Sequence, residues 1–224
     1  MADPVVARPV APPPRPLPVL ILADVSGSMA EGGKIDVLNR SIATMIRSFA
    51  AEDTLRGEIV VGVVTFGGVE ASLHQPLAPA TEVVWQDMRP YGRTPLGQAF
   101  DLVNRLLADE SVVPRRAFTP SLVLVSDGLP TDEWREPLER LLASPRGGKA
   151  ARLAVGVGQD MDEDAFDVLR AFIHNPAIPP FRADEAHQLS RYFSWVTLSV
   201  TTRARSARPN DVSMSMDELD DLLG

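Results

Sequence analysis

Oxygen-bearing side chains follow the first long apolar run of the sequence. The run Leu20–Ala23 ends in Asp24. Two serines follow at alternate positions, Ser26 and Ser28, and Gly27 separates them. An apolar run that stops in this way predicts a buried strand that brings one carboxylate and two hydroxyls to the rim of a sheet. Because such hard oxygen donors select Mg²⁺, Mn²⁺ or Ca²⁺ over softer metals, the spacing predicts part of a metal site, with glycine letting the backbone bend.

Two further segments offer the additional oxygens that an ion with about six ligands requires. The segment Gly92–Gly97 places Thr94 just before a predicted helix, and the apolar run Val123–Val125 leads to Asp127. Taken alone, a Thr-Pro pair is typical of a helix start, and an Asp-Gly pair is typical of an ordinary turn. Their joint occurrence favours the metal site, because each lies at the end of the element that a parallel sheet requires.

These motifs, in this order, resemble the metal-ion-dependent adhesion site of von Willebrand factor type A domains. All five positions of that site are present, as Asp24, Ser26, Ser28, Thr94 and Asp127. The resemblance extends roughly from Pro18 to Ser206. It implies that the three hydroxyls bind the ion directly and that the two aspartates bind it directly or through water. It also implies that an Asp or Glu of a partner protein completes the coordination.

A second resemblance concerns the last predicted helix. The segment Tyr192–Val200, YFSWVTLSV, is similar to the final helix of the tellurium-resistance TerY-type branch of this family. That branch implies a bacterial stress-response, metal-resistance or defence signalling setting. In such settings these domains are often encoded beside protein kinases and phosphatases, so an associated kinase or phosphatase is one expected partner.

Hydrophobic periodicity in the rest of the chain predicts strands that alternate with helices. Helical spacing of apolar residues marks residues 35–49, 96–107 and 189–200, and continuous apolar runs mark strands at 58–66, 121–126 and 152–157. Residues 71–77 predict a shorter antiparallel strand at the sheet edge, ended by Pro76 and Pro79, and residues 175–180 predict a loop. The pattern predicts a doubly wound α/β fold of the von Willebrand factor type A or Rossmann-like kind. Its sheet is mostly parallel with helices on both faces and one antiparallel edge strand.

Two acidic residues precede a further predicted helix. This helix is expected from about Glu133 to Ala143, and Asp132 and Glu133 are expected to cap it and to complement its dipole. Both residues also lie near the predicted metal site, so an influence on its charge is a second expectation.

Composition limits the classes of partner and of architecture. The chain has 224 residues, of which 45% are hydrophobic and 23% charged, and this is enough for one sizeable core. We expect one domain at 17–205, preceded by a proline-rich disordered segment at 1–16 and followed by an acidic tail at 206–224 that is either disordered or ordered by docking into a groove. A net charge of −8 disfavours nucleic acid as the partner. The chain has no cysteine and no long apolar segment, which predicts a cytoplasmic protein without a disulfide framework or membrane partner.

The predicted site favours binding over catalysis. It offers ligands for an ion, whereas no positioned general base, nucleophile or phosphate-binding loop accompanies them. We therefore predict a metal-dependent protein-protein interaction module that is not an enzyme. One alternative is a structural scaffold with a vestigial metal site. A metal-dependent phosphohydrolase is a weaker alternative, because Ser26 stands where the haloacid-dehalogenase type has a second Asp.

Overall fold

The computed structural model of this chain describes residues 14–52, 57–159 and 161–210. Within these residues the strands are β1 (Arg15–Asp24), β2 (Gly57–Gly67), β3 (Glu70–Pro79), β4 (Ser121–Ser126), β5 (Ala151–Val157) and β6 (Phe181–Ala183). The α-helices are α1 (Lys34–Ala50), α2 (Leu96–Ala108), α3 (Arg135–Ala143), α4 (Glu163–Ile173) and α5 (Ala186–Arg205). Short 3₁₀ segments span Gly27–Gly33 and Ala80–Glu82.

The strands form one sheet in the order β3-β2-β1-β4-β5-β6, in which every neighbouring pair except β2 and β3 is parallel. Strand β1 lies at the centre between β2 and β4, and Ala23 on β1 pairs with Val125 on β4. The residues that follow this pair on the two strands therefore lie side by side at the carboxyl-end rim. The predicted doubly wound α/β fold, with its antiparallel edge strand, is confirmed.

Side chains of β1 alternate between two hydrophobic cores. Val19 and Ile21 pack in the core that α1 and α5 cover, and Leu20 and Leu22 pack in the core that α2, α3 and α4 cover. A strand buried on both faces reads as a continuous apolar run, which is why the sequence pattern identified it. Helices on both faces make the central strands rigid, so their ends hold the rim in place.

The antiparallel edge strand is longer than the sequence predicts. Strand β3 continues through Pro76, which was expected to end it, as far as Pro79. The pairing with β2 is irregular here, with register shifts between Val61, Val63 and Val64. Because an edge strand leaves one row of backbone groups unpaired, it tolerates a proline that an inner strand would not.

Strand β6 was missed, because the sequence predicted a loop at 175–180 and no element at residues 181–183. It has three residues, and Phe181 and Ala183 pair with Val155 and Val157 of β5. Three residues are too few to show an alternating pattern, so only the neighbouring strand reveals this element.

The predicted domain boundaries stay predictions, because residues 1–13 and 211–224 lie outside the described ranges. Most of the predicted proline-rich segment and of the predicted acidic tail falls there. None of the helices within the described ranges is long and apolar enough to cross a membrane.

Candidate metal centre

Asp24 ends β1 and is fully buried. Its Oδ1 accepts a hydrogen bond from the Ser26 backbone N–H at 2.8 Å, and its Oδ2 accepts one from the Ser126 hydroxyl at 2.7 Å. Burial raises the pKa of Asp24 to about 6, and the two serines lower it less than burial raises it. The nearby Asp127 makes a smaller contribution to this rise. Without a cation, the rim therefore disfavours the charge that Asp24 carries at neutral pH.

Ser26, Ser28 and Asp127 form a chain of hydrogen bonds at the same rim. The Ser28 hydroxyl donates to Asp127 Oδ1 at 2.7 Å, and the hydroxyl oxygens of Ser26 and Ser28 are 3.0 Å apart. Since Ser28 has a single hydroxyl proton and gives it to Asp127, Ser26 is the donor in the second bond. Lone pairs on both hydroxyl oxygens thus remain available to a cation, and Ser28 is exposed to solvent.

The loop that carries Thr94 is tied to the serine turn by backbone hydrogen bonds. The Gly27 N–H donates to the Gly92 carbonyl at 3.0 Å, and the Tyr91 N–H donates to the Val25 carbonyl at 2.7 Å. Gly92 has a φ of +67°, and a Cβ on it would lie 2.4 Å from the Gly68 Cα. Only glycine allows this close approach, which holds the loop that carries Thr94 against the turn between β2 and β3.

Thr94 itself is buried and is also tied to the loop after β4. Its N–H donates to the Thr131 hydroxyl at 3.1 Å, and its carbonyl accepts from the Thr131 N–H at 2.9 Å. The three segments that carry the predicted ligands are therefore hydrogen-bonded to one another. The structure brings Asp24, the two serines and Asp127 into direct contact or into a shared network, and it ties the loop that carries Thr94 to the two segments that contribute them.

The first turn of α2 is capped by Asp132 and not by Thr94. The N–H groups of Gly97 and Gln98 donate to the two Asp132 carboxylate oxygens at 3.0 and 3.1 Å. A Cβ on Gly97 would lie 2.0 Å from the Glu133 carbonyl oxygen, so only glycine lets the acidic loop come this close. The interpretation of Thr94 as an ordinary helix cap is therefore wrong.

The expectation that Asp132 caps the helix after it is also wrong, since its carboxylate reaches across to α2. Sequence distance hides this contact, because Asp132 follows Gly97 by 35 positions. The expectation that Glu133 caps α3 is confirmed. Its carboxylate accepts from the N–H of Arg135, the first residue of α3, at 2.8 Å.

Sequence reasoning missed two residues that contact the predicted ligands. Ser126 orients Asp24, as described above, whereas the sequence motif that contains it assigns it no role. Lys34, the first residue of α1, places its Nζ 2.8 Å from Asp127 Oδ2. The available signal for the lysine was its rarity, since the chain has only one other, Lys149.

A cavity of about 470 Å³ adjoins the network. Its lining includes Ser28, Lys34 and Asp127 from the network, and the acidic residues Glu31, Asp184 and Glu185. The rim is thus accessible from the side on which Ser28 is exposed, and acidic side chains surround this access.

The donor set fits a hard divalent cation. It consists of two carboxylates and three hydroxyls, without sulfur or imidazole, and the serine hydroxyls keep free lone pairs. In the described parts of the chain, no group of three or more His, Cys, Asp or Glu side chains could hold a metal ion. A carboxylate-rich cage is therefore absent from those parts, and a cation at this rim depends on the hydroxyls.

The fold is an α/β sheet with polar side chains at the carboxyl ends of its central strands, which is the edge where ligands bind in open sheets of this class. A family model described as the von Willebrand factor type A domain matches residues 19–129, a range that contains all five predicted ligands. The match and the fold support a von Willebrand factor type A domain. No curated protein sequence matches the chain significantly.

Solved structures share the fold at low sequence identity. One is VWA2, the ArnB paralog of Sulfolobus acidocaldarius, with 18% identity, a TM-score of 0.57 and coverage of 80% of this chain and 44% of that one. Another is proximal thread matrix protein 1 of the mussel byssus with a zinc-occupied metal-ion-dependent adhesion site, with 16% identity, a TM-score of 0.60 and coverage of 85% and 46%. The open conformation of the pilus adhesin SpaC from Lactobacillus rhamnosus GG has 14% identity, a TM-score of 0.69 and coverage of 85% and 30%. The chain thus spans less than half the length of each of these proteins.

Proposed function

We propose that this chain is a metal-dependent protein-protein interaction module. The metal ligands in this proposal are Asp24, Ser26, Ser28, Thr94 and Asp127, and the ion is Mg²⁺, or Ca²⁺ or Mn²⁺ in its place. The observation that carries the proposal is the hydrogen-bonded network at the rim, in which two carboxylates lie beside hydroxyls that keep free lone pairs. The engagement of the α2 amides by Asp132 supports it, because Thr94 is then not needed as a cap.

In this proposal the chain's own residues prepare the rim for a partner's Asp or Glu. Ser126 and the Ser26 N–H orient Asp24, and Ser28 orients Asp127. A divalent ion supplies concentrated positive charge and a coordination position that the partner's carboxylate fills. The surrounding surface, including the acidic residues of the adjoining cavity, then discriminates between partners.

Binding is favoured over catalysis because both carboxylates are already engaged. Asp24 accepts two hydrogen bonds, and Asp127 is held by Ser28 and Lys34, which leaves neither placed as a general base. The names of two structural neighbours, a pilus adhesin and a thread matrix protein, agree with a role in adhesion or structure. We therefore propose that the chain is not an enzyme.

The biological setting in the proposal is a cytoplasmic stress-response, tellurium-resistance-like or defence signalling system of a bacterium, with a kinase or phosphatase as one partner. This part rests on the resemblance of residues 192–200 alone. The proposed binding mechanism does not depend on this setting, because its support is the hydrogen-bonded network at the rim.

The test of the metal site is a titration of the purified chain with Mg²⁺, Ca²⁺, Mn²⁺ and Zn²⁺ by calorimetry. The variant Ser28→Ala should weaken binding at least tenfold, because it removes one ligand and the donor to Asp127. The matched control is Ser48→Ala, an exposed serine on α1 whose hydroxyl donates to the Thr44 carbonyl. Equal affinity of the two variants would contradict the proposed ligand set.

The test of the module is a pulldown from a lysate of the source organism with wild type in Mg²⁺, wild type in EDTA and Ser28→Ala in Mg²⁺. A partner captured only by the metal-loaded wild type supports bridging through the ion. Equal capture in all three conditions would instead favour the alternative of a structural scaffold with a vestigial metal site.

A further inference from the structure

Lys34 forms an ion pair with Asp127, one of the two carboxylates at the rim. The Nζ of Lys34 lies 2.8 Å from Asp127 Oδ2, and the Asp127 side chain has no exposed surface. The opposite oxygen, Oδ1, accepts the hydrogen bond from Ser28. Asp127 is thus paired with a cation from its own chain on the side that faces away from the serines.

The position of this ammonium is defined by the backbone around it. Lys34 begins α1, directly after Gly33, whose φ of +72° turns the chain into the helix. Its side chain crosses Gly158, where a Cβ would lie 3.2 Å from Lys34 Cε and 3.3 Å from Nζ. Gly158 has a φ of +109°, which favours glycine, so the end of β5 leaves room for the lysine. The lysine side chain is 22% exposed, as expected for a packed stem with an ammonium at its end.

Electrostatics gives this lysine two opposing effects. In the absence of an ion, an unpaired buried Asp127 beside buried Asp24 would be unfavourable, and Lys34 compensates one of the two negative charges. A divalent ion at the same rim would then lie a few Å from a positive charge in a medium of reduced dielectric constant, which disfavours its binding.

We propose that Lys34 is the counter-cation of Asp127 in the metal-free protein and that its charge lowers the affinity of the rim for divalent ions. This inference rests on the proposed function, because it concerns the same ligands. Lys34 is a positioning residue that acts through Asp127. It keeps the metal-free rim folded and sets the ion concentration at which the rim becomes loaded.

The adjoining cavity gives the ammonium an alternative position. Lys34 lines this cavity together with Glu31, Asp184 and Glu185. When a divalent ion neutralises Asp127, the ammonium can turn toward these acids without losing all compensation for its charge. Loading of the rim therefore also changes the charge of the surface beside it.

The experiment compares wild type, Lys34→Met and Lys34→Arg in calorimetric titrations of the full chain with Mg²⁺. Methionine keeps the unbranched apolar stem and the helix propensity of the side chain and removes the charge, whereas arginine keeps the charge. We expect Lys34→Met to bind Mg²⁺ roughly tenfold more tightly, or more, and Lys34→Arg to bind at or below the wild-type affinity.

A second readout needs no ion. Urea denaturation in EDTA of Lys34→Met, Asp127→Asn and the double variant forms a double-mutant cycle. We expect Lys34→Met to lower the urea midpoint in the wild-type background and to change it much less in the Asp127→Asn background. Additive shifts would overturn the counter-cation assignment.

The outcomes separate this inference from the proposed function. Tighter binding by Lys34→Met, including binding by this variant alone, supports the inference. Measurable Mg²⁺ binding by wild type with equal or weaker binding by Lys34→Met overturns the inference and leaves the proposed function standing. Absence of binding by both proteins overturns both.

Discussion

Strand β4 has a serine at each end. One serine is hydrogen-bonded to a buried carboxylate, and the other is hydrogen-bonded to a buried guanidinium. At the carboxyl end, the Ser126 hydroxyl donates to Asp24 at 2.7 Å. At the amino end, the Ser121 hydroxyl accepts from Arg203 Nη1 at 2.6 Å. Asp24 is fully buried and Arg203 is 2% exposed. Both charged groups therefore lie in the interior, at opposite ends of β4.

The two charges differ in what else surrounds them. Arg203 also donates to the Pro209 carbonyl at 3.1 Å and to the Thr119 carbonyl at 2.8 Å, so three neutral acceptors from two segments surround its guanidinium. Asp24 has a second carboxylate, Asp127, nearby and raising its pKa. Two buried charges thus have different consequences. Arg203 is enclosed by neutral acceptors and links the segments that carry them. Asp24 lies beside a second carboxylate, so a bound cation would stabilise its charged form.

The largest effect is expected from Arg203→Met. The substitution leaves two carbonyls and one hydroxyl without their donor, and we expect a loss of about 3 kcal/mol or more in the free energy of unfolding. Urea denaturation in EDTA measures it. The ion affinity of the folded fraction should not change, because Arg203 lies at the end of β4 that is opposite to the proposed metal site. The control is Arg47→Met, an exposed arginine bonded to Thr44, with a change of about 0.5 kcal/mol or less.

The next effect has the opposite sign. In EDTA at neutral pH, Asp24→Asn should stabilise the protein by up to about 3 kcal/mol, because it removes a buried carboxylate whose pKa burial raises from 3.8 to about 6. Its amide can donate to the Ser126 hydroxyl, which can in turn donate to the Gly128 carbonyl, 3.3 Å away. The proposed metal site predicts that Mg²⁺ raises the melting temperature of the wild type, and the same variant should lose that rise.

The pH dependence of that difference provides its control. Since the folded pKa of Asp24 is raised, its contribution to metal-free stability is complete below about pH 4 and is lost as the pH rises through about 6. The stability gap between Asp24→Asn and wild type should therefore open between pH 4 and 6 and stay constant above. Urea denaturation at several pH values measures the gap, and a gap of equal size at pH 4 would contradict the explanation.

The smallest effect compares the two serines of β4 directly. Ser126→Ala and Ser121→Ala should each lower the free energy of unfolding by about 1 kcal/mol, because each removes one hydrogen bond to a buried charge. Only Ser126→Ala should also weaken Mg²⁺ binding, by roughly tenfold, because its serine orients a proposed ligand. Equal ion affinity of the two variants would remove the distinction between the two ends of β4.

The sequence was informative wherever burial and chain order suffice. Continuous apolar runs identified the inner strands, and the parallel arrangement placed Asp24 and Asp127 at one rim because they follow neighbouring strands. The pairing of Ala23 with Val125 bears out that placement. The ligand roles of these residues stay predictions.

The rest depends on contacts between distant residues that no local pattern encodes. Lys34 reaches Asp127 across 93 positions, and Ser126 reaches Asp24 across 102. Asp132 sits where a cap for the following helix is expected, yet the close approach at Gly97 directs it to α2. In each case only the tertiary packing brings the two residues together.

The long strand β3 and the short strand β6 leave the sheet, in its described residues, with two edges that are poor templates for a further strand. Pro76 and Pro79 in β3 lack the backbone donors that a new strand would need, and the pairing is irregular beside them. Strand β6 offers only three residues. Growth of the sheet from chain to chain is thereby discouraged, and this agrees with the proposal that places recognition at the ends of the strands and not at their sides.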